Sequence, residues 1–256
     1  MTKEFPCHLD PDNFQVSDFD NPYEAFFWLG YFSGRKRAAP CAVATAMEVE
    51  EQAPPRPETG VPFCELADFC VFDTETSGLS ASDCAIQVAI GFFRADGSAM
   101  GFYDKLWKLP HGGKISAGSL RIHKINAAKL EKDGLIALPE IQMVHRIFST
   151  MRQRGKKMIA HNASFDARIL KQTAEKHGFA AWDFTADDFF CTMKSATSRC
   201  GLMSAKTGRA KAPSNAELYE ILTGSKADGP LHDALYDIKV TAKSFKLGSE
   251  HGWWSV

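Results

Sequence analysis

The sequence predicts an α/β domain over residues 63–248, with an N-terminal extension of different composition before it. Three observations predict it. Phe69–Asp73 is a short apolar run suited to a buried strand. Ala85–Phe93 and Met100–Lys108 flank Asp96-Gly97, a dipeptide that favours the tight turn of a β-hairpin. Beyond them, apolar residues recur at helical spacing in segments that alternate with a further strand-like run.

Taken in order, residues 1–37 begin acidic, with Asp10, Asp12, Asp18 and Asp20, and then turn aromatic, with Tyr23, Phe26, Phe27, Trp28, Tyr31 and Phe32. Asn21-Pro22 suits a helix start and Gly34 a helix end. A helix ringed by aromatics is expected to be buried, by default against its own domain and otherwise against a partner. Residues 38–62 contain Pro40, Pro54, Pro55, Pro57 and Pro62 and read as a partly extended linker; a short helix also fits Ala42–Glu51. Pro139–Met151 places Ile141, Val144, Ile147, Phe148 and Met151 at helical spacing. Lys157–Ala160 suggests a strand, and Phe165, Ile169 and Thr173 mark one face of the helix after it. Glu217–Leu222 and Asp233–Leu247 are further helices, the second with Leu235, Ile238, Ala242 and Phe245 on one face. Residues 249–256 form a C-terminal tail, and no internal repeat is present.

Bulk properties exclude several classes. Hydrophobic residues make up 45% and charged residues 24%, as in ordinary soluble globular proteins. No stretch approaches the roughly 20 apolar residues that span a bilayer, so no membrane partner is expected. Met1–Asp20 lacks the basic-then-apolar layout of a secretory signal. Seven cysteines, an odd number with no C-x-x-C pair, argue against a disulfide framework or a zinc site. They fit a reducing compartment inside the cell, cytoplasm or nucleus. The formal net charge of −1 means that binding to a polyanion would need a local patch or bound cations.

Three short motifs carry chemistry. Asp73-Thr74-Glu75 follows the first strand directly. Residues i and i+2 of a strand share a side, so two carboxylates stand together at its end. Their repulsion is offset by a hard cation with oxygen ligands, Mg²⁺ or Mn²⁺. Taken alone the pair also reads as a solvated loop start. Thr76-Ser77-Gly78-Leu79 comes next, small and polar enough for close approach to a ligand, with Leu79 either core or a wedge against a base. In His161-Asn162-Ala163-Ser164-Phe165-Asp166, Asn162 suits a helix N-cap and Asp166 the first turn, where the helix dipole favours a carboxylate. Capping alone also explains that pattern. In His232-Asp-Ala-Leu-Tyr-Asp237, positions five apart on a helix point about 140° apart. Gly229-Pro230 therefore places His232 on the entering loop and Asp237 on the helix. A histidine there suits general-base work on water, and equally suits a helix entry.

Together the three motifs resemble those of the DEDDh exonuclease family within the RNase H-like superfamily. Phe72–Leu79 is similar to its first motif, His161–Asp166 to its second and His232–Asp237 to its third, in the same order. The likeness covers most of residues 66–247 and takes in Ile122-His-Lys-Ile125 and Cys191-Thr-Met193. A related group has tyrosine four residues before the last aspartate; here that position is Asp233, which indicates the histidine form.

The resemblance implies a mixed central sheet flanked by helices, and 3′→5′ hydrolysis at DNA or RNA ends, single strand expected, with two Mg²⁺ or Mn²⁺ ions. Asp73, Glu75, Asp166 and Asp237 would hold the metals and His232 would act as base. Thr76, Leu79 and Asn162 would contact the terminal nucleotide; His123 and His161 also match family positions, with either role open. Lys194–Asn215 has five cations and no acid and reads as a flexible basic loop suited to phosphates or, equally, to solvent. Lys124 stands where the family frequently has glycine. Residues 1–62 match nothing in the pattern; residues 1–37 suit docking on a polymerase or another protein, or self-packing.

Overall fold

The computed structural model describes residues 62–229 and 232–255. The helix expected after Asn21-Pro22 and the linker over 38–61 lie outside the described residues.

Five strands form one mixed sheet in the order β3-β2-β1-β4-β5: β1 Phe69–Thr76, β2 Ala85–Phe93, β3 Ala99–Leu106, β4 Lys157–Ala160 and β5 Phe190–Cys191. β1 pairs antiparallel with β2 and parallel with β4, and β4 runs parallel to β5. β1 is therefore central and covered on both faces, as its unbroken apolar run requires. The β2–β3 hairpin turns at Asp96-Gly97, where Gly97 takes φ +89° and Asp96 Oδ1 accepts from the Ser98 N–H at 2.8 Å. β3 starts one residue before, and ends two residues short of, the expected Met100–Lys108.

Strand parity sorts β1 into two cores. Phe69 and Val71 face helix α8, Ala234–Glu250, and pack with Ala89, Phe93, Ile159, Ile238, Ala242 and Phe245. Cys70 and Phe72 face the other way, onto helices α4, Ala137–Gln153, and α5, Ala163–Lys176. There Phe72, Phe148 and Phe189 meet with ring centroids 4.7–5.2 Å apart. Such pairs contribute about 0.5–1.5 kcal/mol each beyond area burial.

Short elements complete the chain: α1 Phe63–Leu66, α2 Ala117–His123, α3 Ala127–Asp133, α6 Thr192–Ala196 and α7 Asn215–Thr223. Helices α2 and α3 have seven residues each and are set by side-chain caps at Ser116 and Asn126 rather than by apolar periodicity. The segment expected as a flexible loop over 194–215 contains the end of α6 and a small hairpin closed by the Met203–Ala210 bridge. Residues 249–255 continue α8 to Glu250 and return Trp254 onto Phe245 and Phe190.

Among the described residues, no helix is long and apolar enough to cross a membrane.

Candidate active site

Parity in β1 continues from the core into the site. Asp73 and Glu75 follow Phe69 and Val71 on the face covered by α8, and Asp237 lies in the first turn of that helix. One carboxylate oxygen from each of Asp73, Glu75 and Asp237 lies within 4.8 Å of the other two. Asp237 Oδ2 accepts from the His232 backbone N–H at 3.0 Å, whereas its Oδ1 is buried with no partner among the described residues.

Asp166 arrives from the opposite face. It is buried in the first turn of α5, and its Oδ1 accepts from the Thr74 hydroxyl at 2.8 Å. Asp166 does not belong to the three-carboxylate group, but its charge and those of Asp237 and Glu75 bear on Asp73.

The electrostatics are those of a site short of positive charge. Burial first, and then the neighbouring carboxylates, hold Asp73 well above the ordinary carboxylate range. Burial, then Asp237 and Asp166, pushes Glu75 up to about 8. Burial pushes Asp166 up to about 7 against the opposing Thr74 hydrogen bond. Asp237 is raised by burial and partly relieved by the His232 N–H. Buried carboxylates packed this closely favour protons, or a cation in their place. An all-oxygen donor set with an unpaired buried oxygen fits a hard divalent ion.

His232 is exposed, on the turn before α8, at φ +67°. It thus sits on the entering turn and Asp237 on the helix, the division expected from their spacing. Thr76 is buried at the end of β1 and its hydroxyl donates to Gly78 O at 2.9 Å. Leu79 is 73% exposed, so it is not core. Asn162 occupies the N-cap position of α5, but its side chain makes no capping bond. It adopts φ +69°, which asparagine tolerates better than most residues, and its carbonyl accepts from the Phe165 N–H at 2.8 Å.

Two histidines tie these segments together. His123 Nδ1 accepts from the Ile125 N–H at 3.0 Å, which leaves Nε2 to donate to Thr76 O at 3.1 Å. His161 Nε2 donates to Pro213 O at 3.0 Å, and its Nδ1 lies 3.0 Å from the Thr192 hydroxyl. Burial lowers His161 to about 4, so it is neutral near pH 7. Thr74 escaped the sequence reading; the available signal was its position between two carboxylates, on the opposite parity, facing the helix of the second motif.

With this geometry in hand, the comparisons with known proteins agree with one another. The RNase T family model, described as Exonuclease, matches residues 70–245. Ribonuclease T of Haemophilus influenzae (strain Rd) is 29% identical over 188 residues, covering 68% of this chain and 76% of the relative. Ribonuclease T of Klebsiella pneumoniae is 28% identical over 195 residues, covering 68% and 81%. Escherichia coli Exonuclease I, solved in complex with a dA16 oligonucleotide, superposes with TM-score 0.58 at 16% identity. That match covers 72% of this chain and 41% of Exonuclease I, so the chain spans less than half of that protein. A 3′-exonuclease solved for its recognition of a histone mRNA stem-loop matches with TM-score 0.54 at 11% identity, over 73% of this chain and 83% of that one. At such identities the structures speak for the fold, and the family match speaks for descent. The chain belongs to the DEDDh 3′→5′ exonuclease family, DnaQ-like and RNase H-like, whose members are metal-dependent hydrolases.

Proposed function

We propose that the chain removes nucleotides from the 3′ end of single-stranded DNA or RNA, releasing nucleoside 5′-monophosphates. The observation that carries this reading is the trio Asp73, Glu75 and Asp237, with one oxygen of each within 4.8 Å of the other two and Asp237 Oδ1 buried without a partner among the described residues. The relatives support a nucleic-acid substrate: two are named Ribonuclease T, and one structure holds dA16.

In this reading Asp73, Glu75 and Asp237, with Asp166 beside them, would hold two Mg²⁺ or Mn²⁺ ions. When bound, the ions supply positive charge and Lewis acidity beside the reacting phosphate. The chain supplies the rest. His232 accepts a proton from the attacking water. The water oxygen bonds to phosphorus, the bond from phosphorus to the upstream 3′ oxygen breaks, and that oxygen takes a proton from solvent. Exposed Leu79 packs on the terminal base, with Thr76 and Asn162 beside it.

The test is purified protein with Mg²⁺ or Mn²⁺ on end-labelled DNA and RNA, single and double stranded. A 5′ label should report stepwise shortening, and a 3′ label immediate release of mononucleotide. Asp73→Ala should abolish hydrolysis while binding in Ca²⁺ persists. Wild-type hydrolysis by that variant would overturn the site assignment.

A proofreading role has one specific observation in its favour, the six aromatics between Tyr23 and Phe32. If residues 1–37 are a docking module, joined through 38–62 to a catalytic domain over 63–248, deleting 1–62 should abolish co-purification with a polymerase and spare oligonucleotide hydrolysis.

A further inference from the structure

Residues 194–215 hold five cations and no acid, in a chain of net charge −1. Two of the five are engaged elsewhere: Lys211 pairs with Glu217, and Arg199 Nη1 reaches Gly252 O at 3.5 Å. Lys206 and Arg209 are exposed, and among the described residues no carboxylate pairs with either.

These two side chains sit on a built hairpin. The Ser204 N–H donates to Arg209 O at 2.9 Å, and the Lys211 N–H to Leu202 O at 2.8 Å. Gly208 takes φ +61° in the turn and donates to Ser204 O at 2.8 Å. Both stems are rooted in the candidate active site. On one side His161 Nε2 holds Pro213 O, and Asn215 Nδ2 donates to the backbone carbonyl of Asp237 at 3.2 Å. On the other, Thr192 at the start of α6 meets His161 Nδ1. The two flanks of the hairpin are thus held against His161, five residues before Asp166, and against the backbone of Asp237.

We infer that the hairpin Leu202–Lys211 is a separate contact for the substrate strand, with Lys206 and Arg209 meeting backbone phosphates upstream of the 3′-terminal nucleotide. The inference rests on the exonuclease reading above. Cations beside a single strand displace condensed counterions, so each phosphate contact adds about 0.7 to the slope of log affinity against log salt. Phosphate contacts carry position and strand length rather than sequence.

The test compares wild type with the Lys206→Gln/Arg209→Gln double variant on a 20-nucleotide strand and a trinucleotide across a KCl series. The variant should raise KM for the 20-mer several-fold at low salt, with kcat held. The 20-mer's salt slope should flatten by about 1.4, two contacts at the single-strand value. The ratio of the two KM values should rise. Unchanged KM and slope on the 20-mer would overturn the inference, as would an equal loss on both lengths, which marks a merely structural hairpin. Equilibrium binding of the 20-mer in Ca²⁺ reads the same slope without turnover. A wild-type protein that binds but never hydrolyses would therefore sink the exonuclease reading while still deciding the role of the hairpin.

Discussion

The backbone N–H of His232 donates to Asp237 Oδ2 at 3.0 Å and leaves Oδ1 buried, with no partner among the described residues, in the group formed with Asp73 and Glu75. One residue thus braces the turn that presents the histidine and offers an oxygen to a cation. Asp237→Asn keeps the shape and removes the charge. The metal-free protein should then melt higher than wild type, because like charges are fewer; at about 2–4 °C per kcal/mol for a domain of this size the shift is measurable. The rise in melting temperature that Mg²⁺ gives wild type should vanish, and hydrolysis should need at least tenfold more metal. Thermal shift with EDTA or Mg²⁺ checks both. A full Mg²⁺ response in Asp237→Asn would remove Asp237 from the metal site.

The carboxylate pKa directions predict a pH dependence for the metal-free protein. Glu75 at about 8, Asp166 at about 7, and the raised Asp73 and Asp237 all hold protons more tightly when folded than in the unfolded chain. The unfolded reference for carboxylates is about 4. The folded state therefore binds more protons between these limits, and stability falls as pH rises through them. In EDTA the melting temperature should drop from pH 5 to pH 8.5. Saturating Mg²⁺ should flatten the drop, since the ion replaces the protons. A metal-free curve rising over that window would contradict the direction.

Much of this site was legible because it obeys local periodicities. The two-residue period of β1 puts Asp73 and Glu75 on one face, and Gly229-Pro230 just upstream puts His232 on the turn that enters the helix of Asp237. What was not legible depends on contacts distant in the chain. The Thr74–Asp166 bond spans 92 residues and the His161–Pro213 bond spans 52. Trp182, Phe184 and Phe189 join the main core without helical or strand spacing, so no pattern announced them. Asn162 took the expected place but capped through its backbone conformation rather than its side chain.

Lys124 connects the two kinds of information. It ends α2 in the left-handed region at φ +61°, where a Cβ is unfavourable and a glycine would fit without strain. Lys124 Nζ also donates to Arg121 O, but both residues are exposed. Lys124→Gly should therefore stabilise the domain by about 0.5–1 kcal/mol, the strain relieved less the extra freedom of the unfolded glycine. Calorimetry checks the sign, and a lower melting temperature would show that the lysine contact outweighs the strain. His123 lies one residue earlier and holds Thr76 O, so activity should be kept.

Tyr236 closes the approach of His232 from the helix side. Its hydroxyl accepts from the Gly229 N–H at 2.8 Å and lies 3.3 Å from Asp228 Oδ1. Gly229 has no room for more: a Cβ there would sit 2.1 Å from the Tyr236 ring. The segment entering the His232 turn is thus clasped one residue before Pro230, and His232 is clasped again by Asp237. Tyr236→Phe removes the hydroxyl and keeps the ring. Losing a hydrogen bond of about 1 kcal/mol from the clasp lowers the equilibrium constant for correct placement of His232 by roughly fivefold, and the correctly placed fraction by up to that factor. The expected result is a fall in kcat of up to that factor, with oligonucleotide binding in Ca²⁺ unchanged, because Tyr236 is a positioning residue that touches no part of the proposed substrate site. Gly229→Ala should do more, since it displaces the ring itself. Weaker binding at unchanged kcat in Tyr236→Phe would move the clasp's role from the base to the substrate.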